Sequence, residues 1–234
     1  MKYTLFDLET GPTQGPLDLD RYVPPITVAA TLTHEGTLDL WCDRDEAGTA
    51  TGQPLSCMGA QRLVRYLQDR ETLGYHPVTW NGSGFDFRVL AHASGQVAEC
   101  AALAWGHIDM MFWLHCQKGF SVALDRAARA VGTTKLGGLS GADAPRLWAE
   151  GKYDQVMAYV AQDVRMLGTV YEEAMRAHAL RWISTQGYLS RADGSLCSVR
   201  EAYRLPMPDT SWMRRPPWSR ERFVGWMLAA EGSG

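Results

Sequence analysis

No apolar run in this chain is long enough to cross a membrane, and the first seven residues already include Lys2 and Asp7, so no signal-peptide pattern opens the sequence. The expectation is a cytoplasmic protein with no membrane partner. Cysteine is sparse and unpatterned. Cys42, Cys57, Cys100, Cys116 and Cys197 are odd in number and contain no C-x-x-C pair, which argues against a disulfide framework and a thiolate zinc site. They read as reduced thiols serving as small hydrophobes. The six histidines show no ligand spacing, and there is no internal repeat and no P-loop. A strong net charge is missing too: −3 overall announces no polyanion partner. The charge is uneven, however. Residues 181–234 hold eight arginines against five acids, or +3, which leaves −6 on the first 180 residues.

With 234 residues, 46% of them hydrophobic and 21% charged, the chain can bury a sizeable core. A short β-prone run, residues 3–7, ends at Asp7, because the Gly11-Pro12 and Gly15-Pro16 pairs cannot continue a strand. Strands are expected near residues 23–33 and 37–42, joined by His34-Glu35-Gly36 as an antiparallel hairpin. Leu55, Met58, Leu63, Tyr66 and Leu67 recur at helical spacing, followed by a strand at Val78–Trp80 and a Gly82-Ser83-Gly84 turn into another helix. Further helices are expected at 110–116, 121–131, 144–149 and about 153–179, with the glycine-rich stretch 132–141, which includes Lys135, as a connector. Residues 187–199 read as a hairpin turning at Asp193-Gly194. The proline-bearing tail beyond it is expected to be irregular or loosely packed. The pattern is α/β: a mixed sheet, an antiparallel meander plus parallel strands, flanked by helices.

Four acids stand at special points of this scheme. Asp7 and Glu9 lie at a strand end, Asp86 follows a strand-to-helix junction, and Asp163 shares a helix face with Tyr159, four residues before it. Carboxylates gathered in one cleft repel one another unless protons or cations neutralise them. Hard oxygen ligands favour Mg2+ or Mn2+, and a pair of such ions activates a water and stabilises a leaving oxygen in phosphodiester cleavage.

Asp7-x-Glu9, Asn81-x3-Phe85-Asp86 and Tyr159-x3-Asp163, in that order, resemble the three motifs of the DEDD 3′-5′ exonuclease superfamily on an RNase H-like fold. The tyrosine matches the DEDDy branch; where the histidine branch carries His, this chain has Ala158. The resemblance spans about residues 2–175 and implies an exonuclease domain over residues 1–180, with 181–234 as a C-terminal extension. It implies that Asp7, Glu9, Asp86 and Asp163 hold two metal ions, Asp86 mainly through water. Tyr159 would orient the attacking water, Asn81 and Phe85 would shape the floor, and the Thr10-Gly11 backbone would lie against the 3′-terminal nucleotide of single-stranded DNA or RNA. Asp109 resembles a recurrent acid that supports the fold.

The extension interleaves arginine with aromatics, among them Arg181, Trp182, Trp212, Arg214, Arg215 and Trp218, a combination suited to phosphate contacts and base stacking. The same residues would equally dock the tail on the domain. Two rival readings of the whole chain stand beside the exonuclease: a non-catalytic nucleic-acid-binding module and a structure-directed endonuclease. Oligomeric state, including a homo-oligomer, is not readable from the sequence.

Overall fold

The computed structural model describes residues 1–13, 18–134 and 141–232. Gly15-Pro16 and residues 135–140, Lys135 included, lie outside these. The chain opens with strand β1 (Lys2–Thr10), then β2 (Ile26–Thr33) and β3 (Leu38–Trp41), helix α1 (Cys57–Thr72) and β4 (Tyr75–Thr79). Helices α2 (Asp86–Ser94) and α3 (Val97–Gly106) lead to the short β5 (Ile108–Asp109). Helices α4 (Met110–Lys118), α5 (Leu124–Ala130), α6 (Ala144–Ala149) and α7 (Tyr153–Ala177) follow. A hairpin, β6 (Ala179–Ile183) and β7 (Leu189–Asp193), and helices α8 (Val199–Tyr203) and α9 (Glu221–Glu231) complete the chain.

Five strands form one mixed sheet in the order β3-β2-β1-β4-β5. The β1–β2 and β2–β3 pairs are antiparallel, while β1–β4 and β4–β5 are parallel. This is the helix-flanked mixed sheet expected from the sequence. β1 is central, and side-chain alternation divides its work. Phe6 points to one face and meets Phe87 of α2 with ring centroids 5.4 Å apart. Tyr3 and Leu5 point to the other face, which α7 covers: Tyr3 packs edge-on to Tyr171 at 5.0 Å, and a Cβ on Gly168 would come within 2.8 Å of Leu5. Glycine at 168 thus lets helix and strand approach closely, and α7 runs antiparallel to β1.

Three expectations need correction. Helix α3 was not foreseen: Cys100, Ala101, Leu103, Ala104 and Trp105 are all buried, and a run so uniformly apolar shows no polar face for periodicity to reveal. The terminal hairpin sits earlier than expected. β7 pairs with β6, Leu180 opposite Ala192, around a turn at Ser184–Gly187, while Asp193-Gly194 merely ends β7. Ser195–Ser198 is not a strand; Ser198 and Glu201 form a capping box that starts α8. The tail is irregular over 206–219 but not loose beyond it. Phe223, Val224 and Met227 of α9 are buried in the common core, and Arg220, itself buried, donates to the carbonyls of Cys116, Tyr203, Leu205 and Pro206. No helix among the described residues is long and apolar enough to cross a membrane.

Candidate active site

The cleft opens at the carboxyl ends of the parallel strands, where chains diverge and leave room for a ligand. Pairing of β1 with β4 stops at Leu5↔Val78, and the chain after β4 swings away into the turn 80–85. The edge of β1 past that point turns to a side chain instead: Leu8 N–H donates to Asp86 Oδ1 at 3.0 Å. That bond fixes the first residue of α2 against the end of β1.

Asp7 and Glu9, two apart, continue the face of β1 that carries Leu5, so they meet α7 one step beyond Gly168. There Asp163 and Tyr159 occupy successive turns of the helix. One carboxylate oxygen from each of Asp7, Glu9 and Asp163 lies within 4.8 Å of the others. A bulge between Glu9 and Thr10, and a bond from Thr27 Oγ1 to the Glu9 carbonyl at 3.0 Å, end the strand there. The cleft, about 540 Å³, is lined by all four acids and Tyr159, and also by Thr10, Gly11 and Phe85. Asn81 is not among the lining residues. It holds the turn with φ 74°, and its N–H donates to Asp109.

The electrostatics follow from crowding. Burial first, then the nearby Asp7 charge, raise the Asp86 carboxyl well above the usual carboxylate range. Burial, then the Asp163 and Glu9 charges, push the Tyr159 phenol far up, so it stays a protonated donor and hydrogen-bonds Asp163. All the donors are hard oxygens crowded beyond what water alone stabilises, and this set fits a divalent cation such as Mg2+ or Mn2+. No transition-metal nitrogen or sulfur ligand joins the group among the described residues.

Asp109 supports the turn from below. It accepts from the N–H groups of Asn81, Ser83 and Phe112 at 2.9–3.0 Å and from Ser83 Oγ at 2.6 Å, thereby capping α4 as well. Support from above comes from the tail. Trp226 Nε1 donates to the Ser83 carbonyl at 2.8 Å, and Phe223 lies 3.1 Å from where a Cβ on Gly84 would be. Sequence reading missed this buttress, since nothing local in α9 names its partner. It also missed Trp80, Leu124, Ala142 and Pro145 in the cleft wall. Trp80 adjoins Asn81 and could have been found from that; its indole is fixed by a 2.9 Å bond to the Val122 carbonyl. Gly141, the described end of the glycine-rich stretch, brings its backbone to the site: a Cβ there would stand 3.8 Å from the Glu9 carboxylate. The expected nucleic-acid contacts do not gather at the cleft. Arg181 pairs with Glu173 at 3.0 Å, while Arg214 and Arg215 are exposed on the tail.

The Trp226→Phe variant keeps an aromatic side chain but loses the five-membered half of the indole with its N–H. It is expected to lower the unfolding free energy by about 2 kcal/mol, an ordinary hydrogen bond together with the packing of the lost part of the ring system. Turnover should fall several-fold, because the Ser83 turn leads directly into Asp86. Denaturant melts and steady-state kinetics would check both; unaltered turnover would make the tail contact purely structural.

A family model described as RNase H superfamily matches residues 58–175, half of the chain. The chain belongs to the RNase H superfamily. The matched part contains Asn81, Asp86, Tyr159 and Asp163, and the preceding β1 brings Asp7 and Glu9 to them. Among solved structures, the chain is similar to a family B DNA polymerase from the hyperthermophilic archaeon Pyrobaculum calidifontis, with a TM-score of 0.53 and 16% identity. The similarity covers 74% of this chain and 24% of the polymerase, so the RNase H-like chain spans about a quarter of that protein's length, and the likeness is one of fold. No curated protein matches in sequence.

Proposed function

We propose that this RNase H superfamily protein is a metal-dependent 3′-5′ exonuclease of the DEDDy type that releases nucleoside 5′-monophosphates from single-stranded DNA or RNA. The observation that carries the reading is the meeting of Asp7, Glu9 and Asp163 within 4.8 Å of one another, with Tyr159 and Asp86 lining the same cleft. The fold likeness to part of a DNA polymerase agrees with a nucleic-acid substrate.

Asp7, Glu9 and Asp163 would hold the metal, with Asp86 completing the acid set. When bound, divalent metal neutralises the carboxylates, makes water more acidic and offsets charge on the phosphate. Tyr159 contributes a donor, not a base, because its phenol is held protonated. Its hydroxyl, beside Asp163 and Glu9, would orient the attacking water. Trp80, Phe85 and Leu124 offer apolar surface to a terminal base, and the Thr10-Gly11 backbone borders the same space. Gly11 is held there by its N–H bond to the Pro25 carbonyl at 2.9 Å.

The deciding experiment incubates a 5′-labelled single strand with the protein and Mg2+ or Mn2+. The expected result is a ladder shortening from the 3′ end that EDTA stops. Protection without shortening would assign a binding module, and scission of a circular strand would assign an endonuclease; either result overturns the proposal.

A further inference from the structure

The structure sorts the aromatic residues of the tail into two kinds. Of nine tryptophans, Trp182 and Trp226 join the others inside or against the core, whereas Trp212 and Trp218 are 64% and 55% exposed. Neither exposed ring is loose. The Trp212 indole donates to the Asp209 carbonyl at 3.1 Å, and its edge meets Phe120 with centroids 6.1 Å apart. The Trp218 carbonyl accepts from His115 Nε2 at 2.9 Å, and the Arg222 guanidinium lies 4.2 Å from the Trp218 ring centre. Pro216 and Pro217 stiffen the chain between them.

The arginines divide the same way. Arg181, Arg191 and Arg200 pair with Glu173, Asp193 and Glu231, and Arg220 is consumed by backbone carbonyls. Arg214, Arg215 and Arg222 are exposed and form no ion pair among the described residues. Fixed aromatic faces beside unneutralised guanidinium groups match a single strand, whose bases stack and whose phosphates are negative, without reading its sequence.

This surface is linked to the cleft through packed residues. Phe223, next to Arg222, packs on Gly84, and the following residue, Phe85, lines the cleft. Phe120, against Trp212, lies two residues before Val122, whose carbonyl holds the cleft-lining Trp80. A space of about 540 Å³ is on the scale of small-ligand sites, so a polymer entering it must continue over the outer surface.

We infer that the exposed face of residues 212–222, carrying Trp212, Arg214, Arg215, Trp218 and Arg222, is a track for single-stranded nucleic acid, binding the part of the strand upstream of the end held in the cleft. The inference rests on the exonuclease reading for the direction of the strand. It gives a binding mode whose strength grows with strand length.

The test is fluorescence anisotropy in EDTA, where hydrolysis is off, with labelled oligothymidylates from a dinucleotide to roughly a dozen nucleotides, within the usual span of single-strand sites. The wild-type protein is expected to bind longer strands progressively more tightly. Trp218→Ala, and separately the pair Arg214→Gln and Arg215→Gln, should weaken binding of the longest strand about tenfold and flatten the length dependence, with less effect on the dinucleotide. The arginine pair should also reduce the slope of log affinity against log salt by roughly 1. Thermal unfolding verifies that each variant is folded, and quenching of wild-type tryptophan fluorescence by the long strand gives a readout that needs no variant. A length dependence identical in wild type and both variants, or loss of affinity equal at every length, overturns the track. Wild-type hydrolysis with either of those results leaves the exonuclease reading standing alone; length-dependent binding through these residues without any hydrolysis retains the surface and removes the exonuclease.

Discussion

Substituting Asp7→Ala is expected to abolish metal-dependent hydrolysis while leaving the metal-free protein folded. Asp7 shares the three-carboxylate cluster and also raises the Asp86 carboxyl by its charge, so it is the acid that links both sides of the cleft. Bound metal contributes several kcal/mol of charge stabilisation, and each 1.36 kcal/mol is a decade in rate, so the loss should be on the order of 10³–10⁴-fold. Stability should move the other way. A buried acid whose folded-state pKa is raised is favoured by folding in its protonated form. The stability that Asp86 contributes is therefore present below the ordinary carboxylate pKa and lost as pH rises through the raised value. Metal-free wild-type protein should lose melting temperature with rising pH across that window, and Asp7→Ala should flatten the decline. Conversely, Mg2+ should raise the melting temperature of wild type through binding to the folded state and not that of the variant. Rates measured against oligonucleotide, and melting curves with and without metal, check each part; substantial magnesium-dependent activity in Asp7→Ala would sink the assignment of the cluster.

Whether a feature was legible in the sequence depended on how local its cause was. Asp7 and Glu9 share a strand face because they are two apart, and Tyr159 and Asp163 share a helix face because they are four apart; both follow from backbone periodicity alone. That the two faces meet follows from Gly168 opposite Leu5, a contact between residues far apart in the chain. Asp109 was marked as a supporting acid by resemblance, and its four accepted bonds show how it supports the turn. Helix α3 escaped because a helix apolar on nearly every side carries no stripe. The hairpin was misplaced because an Asp-Gly pair signals a turn only where both flanks have partners, and the partners of β7, Leu180 and Trp182, lie just past the expected helix end near residue 179, where the arginine-aromatic tail gives no strand signal. The cleft walls from Leu124 and Pro145, and the prop of Trp226 on Ser83, are set by tertiary packing and leave no mark on their own neighbourhoods.

The Tyr159→Phe variant should lose turnover on the order of 10²-fold, the cost of removing one positioned donor from an active site, with KM changed much less. The ring itself is buried against the core and would remain, since phenylalanine fills nearly the same volume. What disappears is the hydroxyl, which lies among Asp163, Glu9 and Asp7 and is kept protonated by burial and by their charges. A group so far from ionising cannot accept the proton of an attacking water near neutral pH, so its effect must lie in orientation, and misplacement of a reacting atom by about 1 Å suffices for a loss of this size. The pH profile discriminates the roles: removing a donor lowers the rate by the same factor at every pH, whereas removing a base deletes a limb of the profile. The variant should therefore give a parallel, lowered profile with unchanged metal affinity. A normal kcat with a raised KM would instead make Tyr159 a surface for the terminal base, and the water would then need another guide from the same cleft.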